Sequence, residues 1–357
     1  MSDEGSIKNR IPRKVRSVSA YSVPRIDCSV RLDGNESPYD LEAEEKLALS
    51  KRLAKLPLNR YPDPEALELR TSLSRSSGFP VDGILLGNGS DEIIQIIVEV
   101  FGGKSGRVLV PFPTFSMYRI TSLILGKQVT EVELDENFDI DIEQTLETIR
   151  TEDPDIIFLA TPNNPTGNCF SEEKVLEILE ASDGAVVVDE AYCDFSKKSY
   201  IAHIDKYENL LVLRTMSKVG FAGVRLGILF ARPQITHEVN KARLPYNINS
   251  FSQDVLSFVL ENPEVTQRKI GLILRERERL RGELKRIGKI NVYPTDANFF
   301  LVRVPDADSL FEELIRKDIL VRRFRGEGRL VNCLRITVGT REENDQLVQA
   351  LVKIFPS

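Results

Sequence analysis

Residues 156–167 read Ile156-Ile157-Phe158-Leu159-Ala160-Thr161-Pro162-Asn163-Asn164-Pro165-Thr166-Gly167. Five apolar residues follow one another without alternation. That is the pattern of a strand buried on both faces of a sheet, not of one with a solvated side. Two prolines then stiffen the backbone directly after the run, at the carboxyl end of a strand, where open α/β sheets bind their ligands. An asparagine at this place offers both a donor and an acceptor. It serves equally well to satisfy its own turn, and the motif alone leaves both readings open.

Outward from this stretch the same pattern repeats. Short apolar runs at 84–86, 108–110, 129–134, 185–188, 210–213 and 226–230 flank it, separated by helical patterns such as 91–101 and 171–181. Strand–helix alternation of this kind predicts an α/β fold with a mostly parallel, seven-stranded sheet covered by helices. The pattern changes near 247–250. A long charged helix is expected over 265–287, then strands at 299–304, 320–322 and 333–338 around a helix at 310–317, and a last helix at 342–354. This second region reads as a smaller α+β unit, onto which the segment before residue 60 packs. A chain of 357 residues also exceeds the roughly 250–300 at which one core usually divides. The expected organisation is 1–58 as N-terminal arm and part of the small domain, 59–250 as the large domain, and 251–357 as the small domain.

Three more motifs follow buried runs. Leu86-Gly87-Asn88-Gly89-Ser90-Asp91-Glu92 puts a glycine turn before a helix start, where backbone N–H groups face an anion; a plain capped turn has the same look. Val186-Val187-Val188-Asp189-Glu190-Ala191-Tyr192 ends an apolar strand in an acid, costly to bury without a cation, although a helix cap would also use one. Arg214-Thr215-Met216-Ser217-Lys218 is followed by Arg225, whose guanidinium suits phosphate. A lysine needs burial or nearby cationic charge to act as a nucleophile at neutral pH.

The net charge of −6 argues against nucleic-acid or membrane-surface partners. Four scattered cysteines and two histidines give no metal-site spacing, and free thiols in a reducing cytoplasm are expected. Lys8, Arg10, Arg13, Lys14 and Arg16 precede no apolar stretch, so they do not read as a secretory signal but as a solvated arm.

Taken together and in this order, the glycine turn, the Asn-Asn-Pro-Thr-Gly loop, the Asp-Glu-Ala-Tyr strand end and the Ser217-Lys218…Arg225 segment resemble the fold-type-I aminotransferases that depend on pyridoxal 5′-phosphate (PLP). Within them the chain is most similar to the histidinol-phosphate aminotransferases, over nearly its whole length. The likeness extends to Leu32-Asp33-Gly34-Asn35-Glu36-Ser37-Pro38, Asn59-Arg60-Tyr61-Pro62-Asp63-Pro64, Pro113-Thr114-Phe115-Ser116-Met117-Tyr118 and Leu334-Arg335-Ile336-Thr337-Val338-Gly339-Thr340.

The resemblance implies that Lys218 holds PLP covalently and is the catalytic residue. Asp189 is then expected at the pyridine nitrogen, Asn164 and Tyr192 at the 3′-oxygen, and Phe115 against the ring. The backbone at Gly89 and Ser90, with Ser217 and Arg225, is expected to hold the cofactor phosphate, Asp91 and Thr215 are expected to bind the cofactor as well, and Tyr61 is expected to reach the phosphate from the second subunit of a homodimer. Substrate contacts would come from Tyr21, Asn35, Asn164, Arg322 and Arg335. Arg335 matches the arginine that takes glutamate's α-carboxylate, and Arg322 and Tyr21 match residues near the substrate phosphate. The implied reaction is histidinol phosphate plus 2-oxoglutarate giving imidazole acetol phosphate plus glutamate, in cytoplasmic histidine biosynthesis. An aromatic amino-acid aminotransferase would keep Lys218, Asp189 and Arg335 without requiring Arg322, and a PLP decarboxylase of the threonine-phosphate type would release carbon dioxide. The span from Lys218 to Arg225 is shorter than in some members of the family.

Overall fold

The computed structural model describes residues 7–16, 18, 26–103, 106–324 and 328–356, so Tyr21 lies outside the described residues. In chain order the first strands are β1 (Val30–Leu32), β2 (Ile84–Gly87), β3 (Arg107–Phe112), β4 (Gln128–Glu133), β5 (Ile156–Ala160) and β6 (Ala185–Asp189). They are followed by β7 (Leu210–Thr215), β8 (Gly227–Phe230), β9 (Asn291–Val292), β10 (Phe299–Arg303), β11 (Ile319–Arg323) and β12 (Cys333–Thr337).

The unbroken apolar runs make the large sheet, ordered β2-β8-β7-β6-β5-β3-β4. The run from β7 to β4 is parallel, and β8 alone opposes both its neighbours, β2 and β7. From β2 to β3 both faces are buried, which is why those runs do not alternate, while the edge strand β4 is mostly exposed or half-buried. Phe158, Val187, Leu211 and Leu213 pack on one side, while Ile157, Leu159, Val186, Val188 and Val212 pack on the other. Each such side chain contributes about 1.5–3 kcal/mol on burial, so a polar residue inside these runs is a costly exception.

The second sheet runs β1-β11-β12-β10-β9. The N-terminal strand joins it in parallel, with Val30 opposite Ile319 and Leu32 opposite Val321. Strands β1 and β9 have three and two residues, too few for a hydrophobic period to mark them in the sequence. The helix Arg341–Ile354 opens with a reciprocal capping box between Thr340 and Glu343 and buries Leu347 and Leu351 against this sheet. The helix Ser250–Glu261 serves both units, with Val255 and Phe258 in the core of the small sheet and Leu256 in that of the large one. No helix among the described residues is long and apolar enough to cross a membrane.

Candidate active site

The parallel strands end together, so the residues that follow Ala160, Asp189 and Thr215 converge at one edge of the large sheet. There they line a cleft of about 170 Å³ that also receives Gly34 and Glu36 from the N-terminal segment. Ser90, Asp91, Phe115, Asn164, Asp189, Tyr192, Thr215, Ser217, Lys218 and Arg225 all border it. Ten of the expected site residues thus meet in one place.

The floor of the cleft is Asp189, last residue of β6 and only 4% exposed. Its Oδ2 accepts a hydrogen bond from the hydroxyl of Tyr118 at 2.6 Å, and its Oδ1 accepts one from the Ala191 N–H at 2.9 Å. Burial pushes the carboxyl up to about 6, and those two donors hold it back from rising further. It is not a helix cap, because the short helix that follows begins after Tyr192. The adjacent Glu190 is buried for a different reason: it pairs with Arg214 at 2.9 Å and takes the N–H of Tyr200, so it is consumed by the fold.

The two asparagines of the proline loop divide in the same way. Asn163 is fully buried, accepting from Thr114 Oγ1 at 2.7 Å and donating to the Pro113 carbonyl and to Thr166 Oγ1, both at 2.9 Å. It satisfies the loop. Asn164 faces the cleft, and its Oδ1 accepts from Arg335 Nη1 at 2.6 Å. Arg335 also donates through Nη2 to the Asp33 carbonyl at 2.5 Å, and so ties β12 to the rim of the large sheet.

Asn35 is 1% exposed and held by three contacts. Its N–H donates to Thr337 Oγ1 at 3.0 Å, its Oδ1 accepts from the same hydroxyl at 3.1 Å, and Asn298 Nδ2 donates to its carbonyl at 3.1 Å. What remains is Nδ2, which donates to the Tyr192 hydroxyl at 2.9 Å. The Nζ of Lys218, half-buried, lies 5.6 Å from the centre of the Tyr192 ring, within range of a cation–π attraction.

At the other end of the cleft, Gly87 of β2 lies opposite Gly227 of β8, which brings the glycine turn beside Arg225. Gly89 has φ 82° and ψ 165°, a conformation open essentially to glycine alone. A Cβ there would stand 2.6 Å from Arg225 Nη2. The backbone N–H groups at the start of the helix Ser90–Phe101, the Thr215 and Ser217 hydroxyls (2.9 Å apart) and Arg225 form a donor-rich pocket suited to a phosphate. Arg225 reaches it despite the short span from Lys218, because Gly220 (φ 102°) and Arg225 itself (φ 53°) fold the connection tightly. Asp91 meets Arg225 at 3.3 Å.

A flat cationic heterocycle bearing a phosphate fits these residues. Among the described residues the buried Asp189 is in no ion pair, a Cβ at Gly89 would clash with Arg225, and Lys218 lines the same cleft.

Arg322 of β11 lies directly opposite Arg335 of β12, and opposed residues of an antiparallel pair share a face. Arg323 points the other way, pairing with Asp308 at 3.1 Å and Glu312 at 3.4 Å over the Phe311 ring. Tyr61 does not enter the cleft of its own chain; it is 81% exposed and stacked on Tyr246 at 4.5 Å. Sequence reading missed Tyr118 as a partner of Asp189. Its place two residues into the helix Ser116–Ile124 carried no chemical signal, and only its stacking on Phe158 at 4.7 Å aims the hydroxyl.

The model of the family "Aminotransferase class I and II" matches residues 29–351. A histidinol-phosphate aminotransferase of Aquifex aeolicus is 42% identical over 349 residues, covering 97% of this chain and 98% of its own. Among solved structures, the histidinol-phosphate aminotransferase of Clostridium acetobutylicum superimposes with a TM-score of 0.82 at 27% identity, covering 91% of this chain and 98% of the other. That of Sinorhizobium meliloti, solved in complex with pyridoxal-5′-phosphate, gives a TM-score of 0.89 over 99% of both chains. At 22% identity this is a likeness of fold.

Proposed function

The chain belongs to the aminotransferases of class I and II, and on that premise we propose that it transfers the amino group of histidinol phosphate to 2-oxoglutarate, with PLP held on Lys218. The products are imidazole acetol phosphate and glutamate, and the place of the reaction is histidine biosynthesis. The relatives named above support this reading over nearly the full length of the chain. The observation that carries the choice of substrate is the register of Arg322 against Arg335. Histidinol phosphate has no α-carboxylate, so its phosphate ester must use the region where glutamate's carboxylate binds. A phosphate offers up to two charges and three acceptor oxygens, which a second arginine favours.

In this reading Asp189 faces the pyridine nitrogen, Asn164 and Tyr192 the 3′-oxygen, and Phe115 the ring. The phosphate would take the backbone at Gly89 and Ser90 with Ser217 and Arg225, Asp91 and Thr215 would also border the cofactor, and Asn35 would orient Tyr192 beside the substrate. PLP supplies an electron sink for the pair left when the substrate's Cα–H bond breaks. Once the incoming amine has taken its place on the cofactor, the freed Nζ of Lys218 would accept that proton, and the Tyr192 ring beneath it would stabilise the ammonium so formed. The Asn164–Arg335 bond aligns the carboxylate site with the cofactor site, so a substrate anchored on the arginine presents its α-carbon to Lys218.

The same reading takes 59–250 as the cofactor domain, with 251–357 and part of 1–58 as the small domain. The protein is a cytoplasmic homodimer acting on small molecules, with neither nucleic acid nor membrane as partner. Exposed Leu58, Tyr61, Leu244, Tyr246 and Phe251 support the dimer, in which Tyr61 reaches the cofactor phosphate of the other subunit.

Arg322→Ala tests the substrate. It is expected to lose roughly 1.5–3 kcal/mol of histidinol phosphate binding, the scale of a charged hydrogen bond, while phenylalanine turnover suffers less. Equal losses on both substrates, or none on either, favour an aromatic amino acid instead.

A further inference from the structure

Lys269, on the helix Pro263–Lys285, is 1% exposed, and its Nζ has no hydrogen-bond acceptor among the described residues. The charged groups that act on it are Glu45, Asp40, Arg268 and Lys46. Both carboxylates are engaged elsewhere: Asp40 pairs with Lys46 at 2.5 Å, and Glu45 with Arg268 at 2.8 Å. An ammonium buried without a partner is expensive, and an apolar side chain of the same length generally serves a fold better. Lys269 is therefore poorly explained by stability.

Its surroundings supply a different explanation. The Nζ lies 4.7 Å from the centre of the Phe221 ring, and a Cβ on Gly220 would stand 3.1 Å from it. Gly220 has φ 102°, and the same Cβ would stand 3.4 Å from the Tyr39 carbonyl, so the Lys269 side chain and that carbonyl together fill the space a side chain at 220 would need. These residues are two and three positions beyond Lys218, in the same tight turn, Ser217–Phe221.

We propose that Lys269 is a positioning residue for Lys218: its buried, unshared ammonium braces Gly220 and Phe221 and sets both the geometry and the positive surroundings of the turn that carries the cofactor lysine. The inference rests on the reading of Lys218 as that lysine. Lys269 is not one of the residues that line the cleft. It touches no substrate.

The test uses the purified holoenzyme and three variants, Lys269→Met, Lys269→Arg and Lys269→Ala. Borohydride reduction and peptide mapping on each first establish that the cofactor is on Lys218; its absence there in the wild type overturns the proposed function, separately from this inference. The decisive readout is the midpoint of the pH titration of the bound cofactor's long-wavelength absorbance. Lys269→Met, which keeps the length and removes the charge, is expected to move that midpoint up by about half a unit or more, with a melting temperature equal to or above wild type. Lys269→Arg is expected to restore the midpoint. A wild-type midpoint in Lys269→Met, whatever its melting temperature, overturns the proposal. If the arginine is too large to fold, the methionine variant alone decides.

Discussion

Tyr118→Phe isolates one hydrogen bond in the floor of the cleft. The ring is fully buried between Phe158 and Phe115, and phenylalanine fills the same space with the same stacking. Only the donor to Asp189 Oδ2 is lost, leaving that oxygen buried and unpaired while the Ala191 N–H still serves Oδ1. A buried carboxylate deprived of one donor loses about 1–3 kcal/mol of stabilisation in its ionised form. At 1.36 kcal/mol per unit this raises its proton affinity by roughly one to two units, beginning from about 6. In the wild type Asp189 is mostly ionised at pH 7, ready to pair with a protonated pyridine nitrogen. In the variant much of it is protonated there and cannot. PLP affinity at pH 7 should therefore fall by about two- to tenfold, and the loss should shrink above pH 8.5, where the carboxylate ionises again. The assay is equilibrium PLP binding between pH 5.5 and 9, with unfolding in urea as control. The sign of the stability effect is also set. A carboxyl whose folded value is raised destabilises the cofactor-free protein at neutral pH, and that penalty is relieved as pH falls through about 6. Parallel affinity profiles for the two proteins across this range would refute the role given to the Tyr118–Asp189 bond.

Lys218→Ala should abolish covalent attachment of PLP; borohydride reduction followed by peptide mapping checks this, and a label on any other lysine sinks the assignment. Gly89→Ala forces a side chain into a glycine-only conformation at 2.6 Å from Arg225. It should cost about 1–3 kcal/mol in urea unfolding and weaken PLP binding, and an unchanged affinity for PLP would remove Gly89 and Arg225 from the phosphate site. Mixing inactive Lys218→Ala chains with Tyr61→Phe chains should restore activity in heterodimers, since one site then holds both wild-type residues. No recovery on mixing, or a monomer in sedimentation at working concentration, argues that the sites are not shared.

Features written within a few residues of one another are legible before the chain folds. Continuous apolar runs such as 156–160 and 185–188 meant strands covered on both faces, and the polar motifs after them lay at strand ends, because a sheet buried on both sides has only its ends for chemistry. The seven strands of the large sheet and the cleft at their carboxyl edge follow from that. Pairings across long separations emerge only once the chain has folded. Asn35 meets Tyr192, Asn164 meets Arg335, and Tyr118 meets Asp189, over 157, 171 and 71 positions respectively. The sequence offered two adjacent asparagines and two adjacent acids. Packing alone showed that Asn163 and Glu190 satisfy their own loops while Asn164 and Asp189 face the cleft. The physical reason is that an apolar period is imposed by the local backbone repeat, whereas the partner of a buried polar group is whatever the folded chain brings within about 3 Å. Lys269 shows the same limit, since one lysine in a helix rich in charged residues gives no sign of burial until the helix is laid against the turn of Lys218.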